Sequence, residues 1–195
     1  EVLSVKCVSA IIPNSFLNIS VHNNNNKLRF SEAGGGGEQT ITIPNGSYDI
    51  LELGTEITGL MGDASAGGIT YTFSYNEITN TETITSSNHS NNTSFNFLGT
   101  DTCRRCLGFT QSEFTIDSAA GISSDRTVDI TDGRNSIFVR LPSCSNNKII
   151  ESSSGKYSNI VSQIPVTLSR NTFFTYEPSQ AFECELTQKS INYID

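Results

Sequence analysis

Apolar residues recur at every second position over short runs of this chain, and polar or proline-containing segments separate each run from the next. Near the N terminus, Val2-Leu3-Ser4-Val5-Lys6-Cys7-Val8 and Phe16-Leu17-Asn18-Ile19-Ser20-Val21 read as two strands, broken by Pro13-Asn14-Ser15. The polar run 22–27 reads as a turn, and Leu28-Arg29-Phe30 resumes an extended segment. The glycines at 34–37 form a flexible loop, and Gln39-Thr40-Ile41-Thr42-Ile43 is a strand that Pro44 ends. Further strands are predicted at Ile69-Thr70-Tyr71-Thr72-Phe73-Ser74-Tyr75, Thr81-Glu82-Thr83-Ile84-Thr85 and Ser94-Phe95-Asn96-Phe97-Leu98. Leu107-Gly108-Phe109, Glu113-Phe114-Thr115-Ile116 and Arg126-Thr127-Val128-Asp129-Ile130 follow. The turn signal Asp132-Gly133 leads into a closing set: Asn135-Ser136-Ile137-Phe138-Val139-Arg140-Leu141, Ile164-Pro165-Val166, Phe174-Thr175-Tyr176-Glu177-Pro178 and Ser190-Ile191-Asn192-Tyr193-Ile194-Asp195.

One segment has helical spacing instead. Ile50, Leu51, Leu53, Ile57 and Leu60 share a broad face, Ser47 is the candidate N-cap, and Asp49 and Glu52 put negative charge in the first turn. Gly54 inside this helix costs about 1 kcal/mol relative to alanine, and Met61-Gly62 closes it. Ten or so short strands and one short helix predict an all-β sandwich of antiparallel sheets. No repeat period and no internal boundary is visible, so residues 1–195 read as a single domain.

The composition agrees. Of the 195 residues 35% are hydrophobic and only 16% charged, so Ser, Thr, Asn and Gly carry most of the polarity, as solvent-facing strands and loops allow and helical bundles do not. The net charge of −8 and the lack of any basic cluster beyond Arg104-Arg105 exclude a phosphate backbone or an anionic membrane as the main partner. No apolar run reaches the length of a membrane span, and residues 1–12 have no basic start or cleavage site of a signal peptide. Five cysteines are an odd number, and only Cys103 and Cys106 are close in sequence, so reduced or buried thiols are expected, which favours cytosolic assembly.

Candidate chemistry is sparse. Cys103-Arg104-Arg105-Cys106 is half a zinc site, but Cys7, Cys144, Cys184, His22 and His89 supply no second pair at ligand spacing. A turn with half-buried thiols or a local disulfide is the reading favoured. Ser154-Gly155-Lys156-Tyr157-Ser158 fails as a phosphate loop, because Ile150 stands where glycine is needed and Tyr157 where Ser or Thr is needed. Asp129, Asp132 and Gly133 lack the alternating oxygen ligands of a calcium loop. His22 and His89 lie in Asn-rich loops without a scaffold that would hold a catalytic base. Asn18, Asn45, Asn88, Asn91 and Asn92 begin glycosylation sequons, which matter only in a secreted chain. The reading therefore assigns no catalytic, cofactor-binding or metal-binding residue, no cofactor and no enzymatic activity.

The order of the fold-determining patterns carries a resemblance. Ile41-Thr42-Ile43-Pro44-Asn45-Gly46-Ser47-Tyr48 comes first, followed by Leu51, Leu53 and Ile57, and then by a central Leu107-Gly108-Phe109. Asn135-Ser136-Ile137-Phe138-Val139-Arg140, Ile164-Pro165-Val166, Tyr176-Glu177-Pro178 and Ile191-Asn192-Tyr193-Ile194-Asp195 complete it. In these the chain resembles the penton, or vertex, minor capsid proteins of the virophage, polinton-like virus and giant-virus group. The glycine run 34–37 and the Cys103/Cys106 pair depart from that pattern. The resemblance implies a single jelly roll over 1–195 and a structural role at icosahedral fivefold vertices. It further implies a homopentamer that contacts the major capsid protein and other minor capsid proteins, in a virion assembled in the host cytoplasm. It implies neither nucleic-acid binding nor direct membrane insertion. Two other function classes compete: a jelly-roll attachment module for a host glycan or receptor, and a secreted β-sandwich enzyme or inhibitor with occupied sequons and paired cysteines.

Overall fold

The structure, a computed structural model, describes residues 4–33, 37–88, 92–97, 99–131, 135–141, 144–150, 157–158, 160–166, 173–179 and 183–186. Residues 2–3 of the strand expected over 2–8, the whole of the strand expected over 190–195, most of the glycine run and the Asp132-Gly133 turn lie outside these residues. The chain divides into two compact units, residues 1–15 with 134–195, and residues 16–133.

The chain opens with strands β1 (Ser4–Lys6) and β2 (Ala10–Pro13). Residues 16–133 then supply β3 (Lys27–Glu32), β4 (Glu38–Thr42), α1 (Ile50–Ala64), β5 (Tyr71–Asn76), β6 (Thr81–Ser86), β7 (Thr93–Asn96), β8 (Glu113–Ile116) and β9 (Ile122–Ser123). The last stretch supplies β10 (Ser136–Arg140), β11 (Cys144–Ile150), β12 (Tyr157–Ser158), β13 (Ile160–Pro165), β14 (Phe173–Tyr176) and β15 (Glu183–Leu186).

Pairing in the first unit is nested. β1 pairs with β15, β2 with β14, β10 with β13 and β11 with β12, every pair antiparallel. Concentric pairing of this kind is what a folded-over ribbon produces when it wraps into the eight strands and two sheets of a jelly roll. β15 also pairs with β11, which sets the sheet order β1-β15-β11-β12. On β13, Ser162 and Ile164 are buried while Gln163 and Pro165 are exposed, as a strand with one covered face requires, and the buried Val161 falls at the register shift opposite Val139 and Arg140. Val161 packs on Val5 of β1, Cys7 and Leu141, so strands of different pairs share one apolar layer. The fold is all-β with one α-helix among the described residues, in agreement with the sequence pattern.

The second unit holds a four-stranded antiparallel sheet, β4-β3-β7-β8, a three-stranded sheet, β5-β6-β9, and α1. Leu28 and Phe30 of β3, Ile41 of β4, Phe95 of β7 and Ile84 of β6 point into one core with Leu53, Ile57 and Met61 of the helix. The N-cap is Asp49, two residues later than the sequence places it. Its Oδ1 accepts from the Glu52 amide at 2.8 Å, while Glu52 Oε2 accepts from the Asp49 amide at 2.9 Å. This reciprocal box satisfies two amides that a helix start leaves open, which Ser47 is too early to do. The helix also runs past Gly62 and ends where the Ser65 amide donates to Gly62 O.

Three expected strands are not strands. Over 16–21, the Asn23 and Asn25 side-chain amides donate to the carbonyls of Leu17 and Asn18 at 2.8 and 2.7 Å, and Asn25 Oδ1 accepts from the Ser20 amide at 3.0 Å. Those backbone groups would otherwise join a ladder, so an Asn-rich segment folds locally and only Ile19 bridges, to Gly46. Leu107-Gly108-Phe109 ends a turn, and 126–130 is tied by single backbone bonds. The sequence pattern does not announce β2, β9, β11, β12 or β15: β11 has no apolar alternation to betray it, and the two residues of β12 fall in a segment that reads as a polar loop.

Candidate functional site

Residues 103–109 make one tight helical turn, with the Leu107 amide donating to Cys103 O at 3.1 Å and the Phe109 amide to Arg104 O at 3.1 Å. Cysteines three positions apart then fall on the same side, and Cys103 and Cys106 are both completely buried in the core. Arg104 is half-buried and Arg105 exposed. The turn closes at Gly108, whose φ of +77° and close approach to the Arg126 carbonyl, 2.5 Å from where a Cβ would stand, only glycine tolerates. The Arg126 amide donates to Gly108 O at 3.0 Å and the Asp129 amide to Cys106 O at 3.2 Å, which fixes residues 126–129 against the turn.

The two segments enclose a half-open pocket of about 470 Å³. Arg104, Arg105 and Arg126 line it with the Thr110 and Thr127 hydroxyls and the Asp129 carboxylate. Phe109, 2% exposed, also lines it and packs on Phe114 and Phe97, with ring centroids 4.6 and 5.5 Å apart. Thr110 donates through its amide and its hydroxyl to Asp125, holding that carboxyl below the usual range. None of the three guanidinium groups has an ion-pair partner among the described residues. By contrast, Lys27 and Arg29 share Asp101 at 2.8 and 2.9 Å.

The sequence candidates fare differently. Cys103 and Cys106 are thiols rather than a local disulfide, and more deeply buried than expected. Burial first, then Cys106 and Glu82, push the Cys103 thiol well up, so it is a poor nucleophile and ligand. Among the described residues no three His, Cys, Asp or Glu side chains gather to hold a metal. His22 sits exposed in a turn of 3-10 helix, Val21–Asn23, while His89 and residues 154–156 lie outside the described residues. Asp129 lines the pocket, and Asp132-Gly133 lies outside. The Asn18 side chain is committed: Nδ2 donates to Tyr48 O at 2.7 Å and Oδ1 accepts from the Tyr48 amide at 2.9 Å.

Two features escaped the sequence. Arg126 joins Arg104 and Arg105 only through the fold, and nothing local announces it. Glu82 is fully buried with neither carboxylate oxygen hydrogen-bonded, and desolvation pushes its pKa well up. Its signal was present, since Glu82 has the same parity as Ile84 in an alternating strand and therefore shares its inward face.

Among the described residues no helix is long and apolar enough to cross a membrane. No protein-family model and no curated protein matches the chain by sequence. By structure, the chain is similar to the crystal structure of the mavirus penton protein, with a TM-score of 0.53 and 12% identity, over 97% of this chain and 74% of that one. What the two share, at that identity, is the fold, an all-β jelly-roll-like architecture.

Proposed function

We propose that this chain is a structural virion protein of the penton type, set at icosahedral fivefold vertices and in contact with the major capsid protein. The observation that carries the reading is the likeness to the mavirus penton protein over 97% of the chain, joined to the nested eight-strand pairing. A ring of five needs a heterologous contact that closes on itself, and the flanks of a β-sandwich offer flat surfaces for it. In this reading both compact units belong to one capsid module over 1–195, the protein works without cofactor or catalysis, and the place of action is the virion. Host attachment is the second reading, and the arginine-lined pocket is the observation in its favour.

Native mass spectrometry of the purified chain, followed by symmetry classification of electron micrographs, tests the proposal. Five copies around one axis are expected, with vertex-only density in particles. A stable trimer, or density spread over the capsid faces, would overturn it.

A further inference from the structure

We infer that the pocket between the 103–109 turn and residues 126–129 is a binding site for a monoanionic sugar unit, a ring bearing one carboxylate or sulfate. The chain is acidic, at −8, yet three cationic side chains converge here with no described ion-pair partner. Three guanidinium groups face a single lining carboxylate, that of Asp129, so positive charge is in excess, and an anion entering the pocket reduces the repulsion among them. A guanidinium offers a planar fork of donors that matches carboxylate and sulfate oxygens two at a time.

The same walls argue against a bare anion. Asp129 would repel a multiply charged one, but its carboxylate accepts from a neighbouring sugar hydroxyl, and the Thr110 and Thr127 hydroxyls donate or accept at others. Pockets of about 300–1,000 Å³ are the usual size for small ligands, and this one, at about 470 Å³, fits one or two sugar rings. The site is also built rather than fortuitous: Gly108 permits the close approach, and two backbone hydrogen bonds hold the walls together. The cysteine spacing that resembled half a metal site anchors the turn that displays Arg104 and Arg105.

The inference does not rest on the vertex reading, because a pentamer without sugar binding and a sugar-binding monomer are separate outcomes. The test is saturation-transfer NMR and titration calorimetry on the full chain. Glucuronic acid, N-acetylneuraminic acid and glucose 6-sulfate serve as probes, with glucose, inorganic sulfate and a short oligoglutamate peptide beside them. At least one acidic sugar is expected to bind saturably, and glucose not to bind. Arg105→Ala with Arg126→Ala should weaken that binding by about tenfold or more, as the loss of charge-assisted hydrogen bonds predicts. Both residues are exposed, so the melting temperature should hold, and Asp129→Asn should weaken the sugar more than inorganic sulfate. Equal binding of glucose, tighter binding of sulfate or oligoglutamate, no saturable binding, or binding indifferent to the arginine changes would each overturn the inference.

Discussion

Replacing Gly54 by alanine tests whether α1 is held by propensity or by packing. In an isolated helix the change gains about 1 kcal/mol. Here a Cβ at Gly54 would stand 2.1, 2.2 and 2.4 Å from Cδ1, Cγ and Cε1 of Phe73 on β5. Carbon atoms rest at about 3.5–4.0 Å, so the ring must retreat by more than about 1 Å or swing outwards. Phe73 is half-buried and pairs across the sheet with Ile84, whose side chain is fixed in the core. Overpacking of this kind costs about 1–3 kcal/mol, which offsets the propensity gain and leaves a net loss of about 1 kcal/mol. In a Phe73→Ala background the obstacle is gone, and Gly54→Ala should stabilise by about 1 kcal/mol. The coupling between the two positions is then about 2 kcal/mol, well above the error of a double-mutant cycle. Urea unfolding followed by helical circular dichroism, with hydrogen exchange of the α1 amides, measures each corner. If Gly54→Ala stabilises the wild-type chain as much as the Phe73→Ala chain, the packing argument is wrong.

Glu82 is more easily protonated folded than unfolded, so its stabilising contribution is lost as pH rises from the ordinary carboxylate value near 4.5 through its raised folded value. Glu82→Gln should raise stability at neutral pH and flatten that slope in melts from acid to neutral; an unchanged slope would count against it. Asp101 has the opposite sign: Lys27 and then Arg29 hold its pKa at about 2, so its contribution is lost as pH falls from 3.8 towards that value, and Asp101→Asn should remove this acid-limb slope. Asn18→Ala removes both side-chain bonds to Tyr48 and should cost about 1–3 kcal/mol in urea unfolding. Native alkylation read by peptide mapping should label half-exposed Cys7 before Cys103 and Cys106, which should react only on unfolding; prompt labelling of the pair would contradict their burial.

Legibility followed the covered faces. β3 alternates half-buried Lys27, Arg29 and Ser31 with buried Leu28, Phe30 and Glu32, and such a strand is visible because a shift of one residue would turn its apolar set outwards. Glu32 belongs on that inward face because it is partnered, accepting from Tyr71 Oη at 2.7 Å and from the Gly67 amide at 3.2 Å. Where side-chain amides serve the backbone, as at 16–21, alternation exists without a ladder and the pattern misleads. Alternation is also silent about partners. That β1 pairs with β15, and β2 with β14, is decided by long-range packing, and 122 residues separate β2 from β10 with no apolar period to mark the division.

The Cys-Arg-Arg-Cys segment carries this argument to the site. An i, i+3 spacing brings two side chains to one side of a helical turn, and it does so equally for metal ligands and for residues that need burial. A metal requires a second pair to complete four ligands. Since the described residues hold none, the cysteines serve as the small apolar face that seats the turn. The arginines between them are then displayed beside whatever the fold brings near, which is Arg126 through its bond to Gly108. Spacing along the chain thus decides which residues face the core, and only the tertiary bond at Gly108 turns two arginines into a three-arginine pocket.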